Sequence, residues 1–547
     1  MKKVLAVIIT VLMLASVMTI SPFAGEVSGA TVKIATAADL QKLGDADLLY
    51  KSFVLTADID LSDVTWTIIS NFNGILDGKG HKITGYTSNS PMFNTLGSTA
   101  VIRNITLENF TVSADKKVCA LAYVNSGTVS GLTAKGLKVT AASTDASGLI
   151  YENKGRMENV DVEAEIVGSG DRAGGIVNCN RSGIIRYCTF KGSVTSNFHV
   201  GAIASNYYND TKEGVIENCI NYGTVTAWQS RAAGIAATCK NDAKIVNCIN
   251  YGTIIALRKG NESNKVALTS GILGSESAGY TVQNCVNAGK LYTCKENNLI
   301  GGITGAAPKN SGSNIVNCYT VDGTVLNYND DTYSNDKATA ATLTEGSANV
   351  THGFNTNISN MVANGQLVSA EVFASAEMVS KLGEAFTFDA GNSQYPIGLV
   401  PNTESSAQFA FAGVQNTVAD SESGLQSIRF LGTVDSLNYK EIGFYIELDE
   451  STAEGTKMLR KTDRIVCTTV NAIGEDGNVC AVDASELGGE YIFALTINSV
   501  PTLKSGETDR TLTFRVTPVA TDLDGNDVFG VCVTVTYVNG EFVSAKY

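Results

Sequence analysis

The sequence predicts an all-β protein, a solenoid of short strands followed by a C-terminal β-sandwich. Three observations carry this. A ten-residue motif, Ile216–Val225 (Ile-Glu-Asn-Cys-Ile-Asn-Tyr-Gly-Thr-Val), returns as Ile245–Ile254 and Val282–Leu291, and loosely as Ile315–Val325. Each copy alternates apolar with polar residues and is broken by Asn and Gly, which accept the positive φ of sharp corners. From Glu404 onward the repeat gives way to longer β-branched and aromatic runs separated by turn residues.

A recurring motif too short and turn-rich for a helix reads as one solenoid coil per repeat. Aligning the residue after the first Asn gives Ile105, Leu132, Val160, Cys188, Cys219, Cys248, Cys285 and Cys318, at intervals of 27, 28, 28, 31, 29, 37 and 33. The longest interval holds a polar insertion, Arg258–Lys265, read as a loop bulging from one coil. The aligned position is small or apolar throughout, so it faces inward. The position before it is Asn in six of the eight coils (Asn104, Asn159, Asn218, Asn247, Asn284, Asn317), which predicts a stacked Asn ladder at a corner.

In chain order, residues 1–30 read as a secretory signal peptide: Lys2 and Lys3, an apolar run Val4–Ile20, then Ser28-Gly29-Ala30. No second long apolar run follows, so no membrane span is expected, and the product should be exported. Losing Lys2, Lys3 and Glu26 takes the net charge from -14 to -15. Such an acidic surface, with a pI near 4.9, disfavours nucleic acid and anionic membranes. Five of the twelve Cys hold the inward repeat position. They read as free stacked thiols filling a core column, because buried Cys is a small hydrophobe. Without a Cys-x-x-Cys pair they do not suggest a metal site.

Ala37–Leu43 reads as a short amphipathic helix capping the open end of the solenoid, which spans residues 31–325. Strands are expected at Phe53–Leu61 and Trp66–Ile69. The run Leu55–Leu61, then Trp66, then Phe72-Asn73-Gly74-Ile75-Leu76-Asp77-Gly78-Lys79-Gly80-His81-Lys82-Ile83 resembles the opening coils of bacterial surface proteins with GLUG-type repeats. The later Gly175-Ile176, Gly234-Ile235, Gly271-Ile272 and Gly302-Ile303 pairs, with the Asn-Cys-x-Asn-x-Gly repeats, are similar to the same family. The resemblance runs from about Val32 to Leu399. It implies a pectin-lyase-like right-handed parallel β-helix and an adhesin-like surface role, often as a non-catalytic module.

After Val325 the pattern fades. Residues 326–403 are read as a polar loop, Asn327–Asn357, followed by a C-terminal cap containing a helix at Ser375–Phe386. Residues 404–547 carry strand-like runs at Gln426–Val434, Glu441–Leu448, Glu490–Ile497, Arg510–Val519 and Val528–Val538, with a turn at Asp524–Asp527. Their number and spacing suggest an immunoglobulin-like sandwich.

Candidate chemistry is sparse. Asp58 and Asp60 share a strand face, but their place in the recurring opening motif favours a structural role. Asp161, Glu163 and Glu165 alternate with apolar residues and read as a solvated outer stripe, with a Ca²⁺ site as the sharper alternative. Asp330-Asp331 and Asp522–Asp527 read as loop and turn. His81 lacks the Gly-His-Gly of polygalacturonases, and His199 and His352 have no nearby partner pattern. No catalytic residue, cofactor or metal ligand is therefore assigned. Aromatic residues offer the best ligand surface. Tyr207 and Tyr208 fall in an apparent loop, Asn206–Glu213, and Tyr222, Trp228 and Tyr251 lie on neighbouring coils, although Tyr222 and Tyr251 also fit corner packing. The favoured reading is an exported, monomeric, non-catalytic binder of glycans or a cell-surface protein. The alternative is a polysaccharide lyase or glycoside hydrolase, which needs carboxylates and a basic residue converging in one groove.

Overall fold

The computed structural model describes residues 32–45, 52–98, 100–209, 214–256, 268–276, 279–294, 299–305, 314–328, 366–400, 410–416, 425–434, 441–452, 455–461, 465–466, 470–472, 491–501, 510–521, 527–529 and 532–546. The signal-peptide segment, the insertion at 258–265, Asp330-Asp331, His352 and the turn at 524–526 lie outside these residues. The chain divides into two compact units, one running from Val32 to Thr403 and the other including Glu404–Tyr547.

The first unit is a parallel β-solenoid. In one coil Ile150–Asn153, Arg156–Gly168 and Arg172–Gly174 follow in turn, and Val177–Arg181 then pairs in parallel with Ile150–Asn153 of the coil before. Stacking coils in this way builds a seven-stranded sheet, a six-stranded sheet and one large sheet that continues around a corner. At that corner Asn104, Gly131, Asn159, Tyr187, Asn218, Asn247, Asn284 and Asn317 all have φ between 51° and 57°. Left-handed backbone costs most L-residues roughly 1–2 kcal/mol, and Asn and Gly far less, which accounts for the recurrence of Asn. The expected ladder forms there: the Nδ2 groups of Asn247, Asn284 and Asn317 donate to the preceding Oδ1 at 2.9, 3.1 and 2.9 Å.

The aligned inward column from Ile105 to Cys318 is buried in every coil. Cys188, Cys219, Cys248, Cys285 and Cys318 are free thiols. Burial pushes the Cys188, Cys248 and Cys318 thiols well up, so they stay protonated. Two residues further on, a second inward column changes character along the stack. Register aligns Leu107, Ala134, Val162 and Phe190 with Asn221, Asn250, Asn287 and Thr320. These asparagines form an interior ladder, with Asn221 Nδ2 to Asn250 Oδ1 and Asn250 Nδ2 to Asn287 Oδ1 both at 2.8 Å. Each amide also bonds the backbone of the glycine two residues on, closing the Asn-x-Gly bend. That glycine is sterically required, since a Cβ on Gly252 would lie 2.0 Å from the Gly223 carbonyl oxygen.

At the N-terminal end a helix, Ala37–Gln41, runs into a 3-10 turn, Lys42–Gly44. Thr36 caps it, accepting from the Asp39 N–H at 3.1 Å, and Leu40 and Leu43 seal the first coil. The expected strand Phe53–Leu61 is two shorter ones, Ser52–Leu55 and Ile59–Asp60. Trp66–Ile69 is no strand. It makes a single bridge at Ile69, while the buried Trp66 donates Nε1–H to the Met92 carbonyl at 3.0 Å.

The segment read as a terminal cap does something else as well. Its strand Gln366–Val368 pairs with Tyr319–Val321 on the last coil. Helices Ala370–Phe373 and Ala376–Leu382 and the hairpin Phe386–Phe388/Ile397–Leu399 then lie along the solenoid flank. There Phe373, Met378, Leu382, Phe386 and Ile397 cover the outward column Ile220, Ile249, Val286 and Tyr319. The physical reason is that column, an apolar outer stripe that burial removes from water.

The second unit contains two antiparallel sheets over one core. The first orders Ala410–Asn416, Leu425–Val434, Tyr491–Pro501 and Val470–Ala472. The second orders Gly455–Lys461, Glu441–Thr452, Arg510–Thr521, Val533–Val538 and Glu541–Lys546. Phe430 and Phe493 from the first meet Phe444, Phe514 and Tyr537 from the second in the shared core of a sandwich.

Candidate functional site

The five aromatic residues singled out in the sequence do not make one platform. Tyr207 lies within the strand Ala204–Tyr208 rather than in a loop, and it is 0% exposed. Its hydroxyl donates to the Gly214 carbonyl at 2.5 Å, and burial raises its phenol. Register puts it at the end of a third interior amide column, Asn125–Asn153–Asn180, which explains how a polar stretch can be core. Tyr208 is half-buried between the cations of Arg181 and Lys240, 5.5 and 5.0 Å from its ring. Tyr222 and Tyr251 stack one coil apart, 5.8 Å between centroids and 3° from parallel. They are covered, however: Tyr395 presents its edge to both at 4.7 and 5.0 Å, and the Tyr251 hydroxyl donates to the Ile397 carbonyl at 2.6 Å. Trp228 is half-buried at the opposite end of the strand Thr224–Ala227.

The carboxylates are also accounted for. Asp58 Oδ1 accepts from the Lys82 N–H and faces His81 Nδ1, both at 3.1 Å, while Asp60 braces Ser62. These bonds lower both carboxyl pKa values. Asp161, Glu163 and Glu165 are exposed, and register sets Glu163 beside Lys191 and Glu165 beside Lys138. Among the described residues no group of three His, Cys, Asp or Glu could hold a metal ion. The buried Asp77 pairs with Arg103 at 2.9 Å, and the buried Glu158 is held by Arg156 and Arg186 at 2.6 and 2.8 Å.

A different cluster emerges where the six-stranded sheet bends sharply into the seven-stranded one. Lys117, Asp145, Arg172, His199 and Arg231 form one column, each four residues before a buried Leu or Ile (Leu121, Leu149, Ile176, Ile203, Ile235). Six residues further along each coil stand Tyr123, Tyr151, Asn178, Ser205 and Ala237, on the other limb of the bend. Contacts cross the bend on its outer side. Tyr151 Oη donates to Asp145 Oδ2 at 3.3 Å, and Ser205 Oγ donates to the His199 carbonyl at 2.8 Å. The bend is therefore a re-entrant seam along the solenoid.

Within the seam Lys117 Nζ lies 5.4 Å from the Tyr123 ring and 4.9 Å from the Tyr151 ring. Arg231 Nη1 meets His199 Nε2 at 2.7 Å. Burial, then the charges of Arg231 and Arg172, lower the His199 pKa to about 4. Burial lowers that of Arg231 as well. Among the described residues no carboxylate pairs with the Arg172 or Arg231 guanidinium, and the Nε atoms of both, His199 Nδ1 and Asn178 Oδ1 are buried without a partner. The seam thus joins two partly exposed tyrosines to buried polar atoms without a partner. Sequence reasoning anchored on Asn-Cys missed it; anchoring on the buried Leu or Ile at offset four would have aligned it.

No family model matches the chain, and no curated protein matches it. Among solved structures it is similar to a candidate immunoglobulin A1 protease from Bacteroides ovatus, at 18% identity and a TM-score of 0.36, over 67% of this chain and 91% of that one. It is also similar to an IgA1 protease at 15% identity and a TM-score of 0.35, over 55% of this chain and 22% of that one.

Proposed function

We propose that this chain is an exported, non-catalytic β-solenoid that binds an extended glycan along the seam of Tyr123, Tyr151, Asn178 and the basic column facing them. The observation that carries the reading is two half-exposed tyrosines one coil apart, continuous with polar groups that have no protein partner. Coils repeat at about 4.8 Å, close to the length of a pyranose ring, so successive rings can meet successive coils. Tyrosine faces accept sugar rings without demanding charge, and the amide and guanidinium groups supply orientation. Among the described residues no helix is long and apolar enough to cross a membrane.

The enzymatic alternative has its best footing in Glu217, whose carboxyl pKa is raised by burial, two coils from Glu158. Arg186 stands between them, 2.8 Å from Glu158 and 4.0 Å from Glu217, where a substrate oxygen or water would have to sit. That supports binding over catalysis. A glycan array paired with reducing-sugar and unsaturated-product assays tests the proposal. The expected result is binding without turnover, weakened at least about tenfold by Tyr123→Ala with Tyr151→Ala. Turnover abolished by Glu217→Gln, or binding indifferent to both tyrosines, overturns it.

A further inference from the structure

We propose that Arg172, Asn178, His199 and Arg231 form an anion site that takes the carboxylate or sulfate group of a sugar unit lying in the seam. The inference rests on the glycan-binding reading only for the molecule that carries the anion.

An arginine nitrogen can only donate, so the 2.7 Å contact from Arg231 Nη1 fixes His199 Nε2 as the acceptor. The ring proton of the neutral imidazole then sits on Nδ1, and that N–H has no partner. The Nε–H groups of Arg172 and Arg231 are likewise unpaired. Register stacks Arg172, His199 and Arg231 on three consecutive coils. A group over His199 therefore lies one coil spacing, about 4.8 Å, from the level of each guanidinium.

The cluster holds more unpaired donors than acceptors. The carboxylate one coil away, Asp145, already accepts from the Arg172 backbone N–H at 3.0 Å and from Tyr151. Asn178 is 1% exposed with its Oδ1 unpaired, and its amide can present either end by rotating about its last bond. Three unpaired N–H donors against a single unpaired acceptor that can turn away make the set complementary to an anion, whose bonds to charged donors are the stronger kind. The acidic net charge does not oppose this at close range, because charges beyond about 8 Å are screened at physiological salt.

The test uses the full chain with isotope-labelled histidine rings, only three in the sequence, at constant ionic strength. Sodium acetate and sodium sulfate are titrated separately against sodium chloride. The expected result is a saturable shift of the His199 ring signals and none at His81. Arg172→Gln and Arg231→Gln, each checked for an unchanged melting temperature, should weaken it at least about tenfold. Acetate or sulfate saturating alone tells carboxylate from sulfate recognition. In a second arm a uronate oligosaccharide is compared with its methyl ester on the wild-type protein, which needs no variant. At least a tenfold preference for the free acid supports the site. Shifts that rise without saturating, or that chloride reproduces equally, overturn it. If acid and ester bind equally through the tyrosines, the anion site fails while glycan binding stands. If sulfate saturates His199 but neither oligosaccharide binds, the anion site stands and the glycan reading loses its support.

Discussion

Replacing Asn250 tests the idea that interior amides, rather than apolar packing alone, hold the later coils together. Asn250 is 0% exposed and makes four bonds. Its Oδ1 accepts from Asn221 Nδ2 at 2.8 Å and from the Gly252 N–H at 3.2 Å. Its Nδ2 donates to Asn287 Oδ1 at 2.8 Å and to the Gly252 carbonyl at 3.3 Å. In Asn250→Ala the Gly252 N–H and Asn287 Oδ1 lose their partners. A buried orphan costs about 1–3 kcal/mol, so the two together predict a loss of about 2–6 kcal/mol. Asn250→Leu restores volume but no polar partner, so it should be no better than Ala. Asn218→Ala makes the contrast, because its amide bonds only the outer ladder and its φ of 52° costs Ala roughly 1–2 kcal/mol. Denaturant unfolding gives the ranking, and hydrogen exchange at Gly252 and Gly289 reports opening at the bend itself. An Asn250→Leu protein within about 1 kcal/mol of wild type would refute the reasoning, since that variant removes only the polar network.

Other outcomes follow from the same geometry. His199 has a folded pKa of about 4 against 6.5 for an unperturbed histidine, so the unfolded chain binds the extra proton between those values. Its contribution is fully present above pH 6.5 and is lost as pH falls toward 4, about 3 kcal/mol in all, and His199→Gln should flatten that part of the stability curve. Alkylation without reductant should leave Cys188, Cys219, Cys248, Cys285 and Cys318 untouched in the native protein and label all five once it is unfolded; peptide mapping that found any of them bridged would contradict the thiol column. Tyr251→Phe removes both bonds to Ile397, to its carbonyl at 2.6 Å and from its N–H at 3.0 Å, and should speed exchange at Ile397 while leaving exchange in the first coils unchanged.

The solenoid was legible because a coil repeats backbone geometry, and geometry constrains residue type at corners and in the core. Asn218, Cys219 and Gly223 each answer a local demand: positive φ, small inward volume and close approach to a neighbouring carbonyl. Tyr207 was misplaced because Asn206, Asn209 and its neighbours read as a polar loop, whereas this solenoid carries amides inside. The cover over Tyr222 and Tyr251 left no local sign, since Ile397 lies 146 residues beyond Tyr251. The seam escaped notice because Lys117, Asp145, Arg172, His199 and Arg231 share an offset but no single residue type. A repeat search rewards identity, and a binding line varied coil by coil has none.

Stacking turns every position of a coil into a column, and this separates columns that can close on themselves from those that cannot. An amide carries both donor and acceptor, so Asn221, Asn250 and Asn287 satisfy one another and can be sealed in the core. Guanidinium groups only donate, and once His199 has accepted from Arg231 its remaining ring nitrogen donates too. The column Arg172–His199–Arg231 therefore ends with surplus N–H groups however its rotamers are arranged. Its buried N–H groups carry the desolvation cost unless an acceptor completes them, and on the outer bend that acceptor can come from outside. The same rule that makes Asn the residue of the interior ladders makes this donor column a place for a ligand.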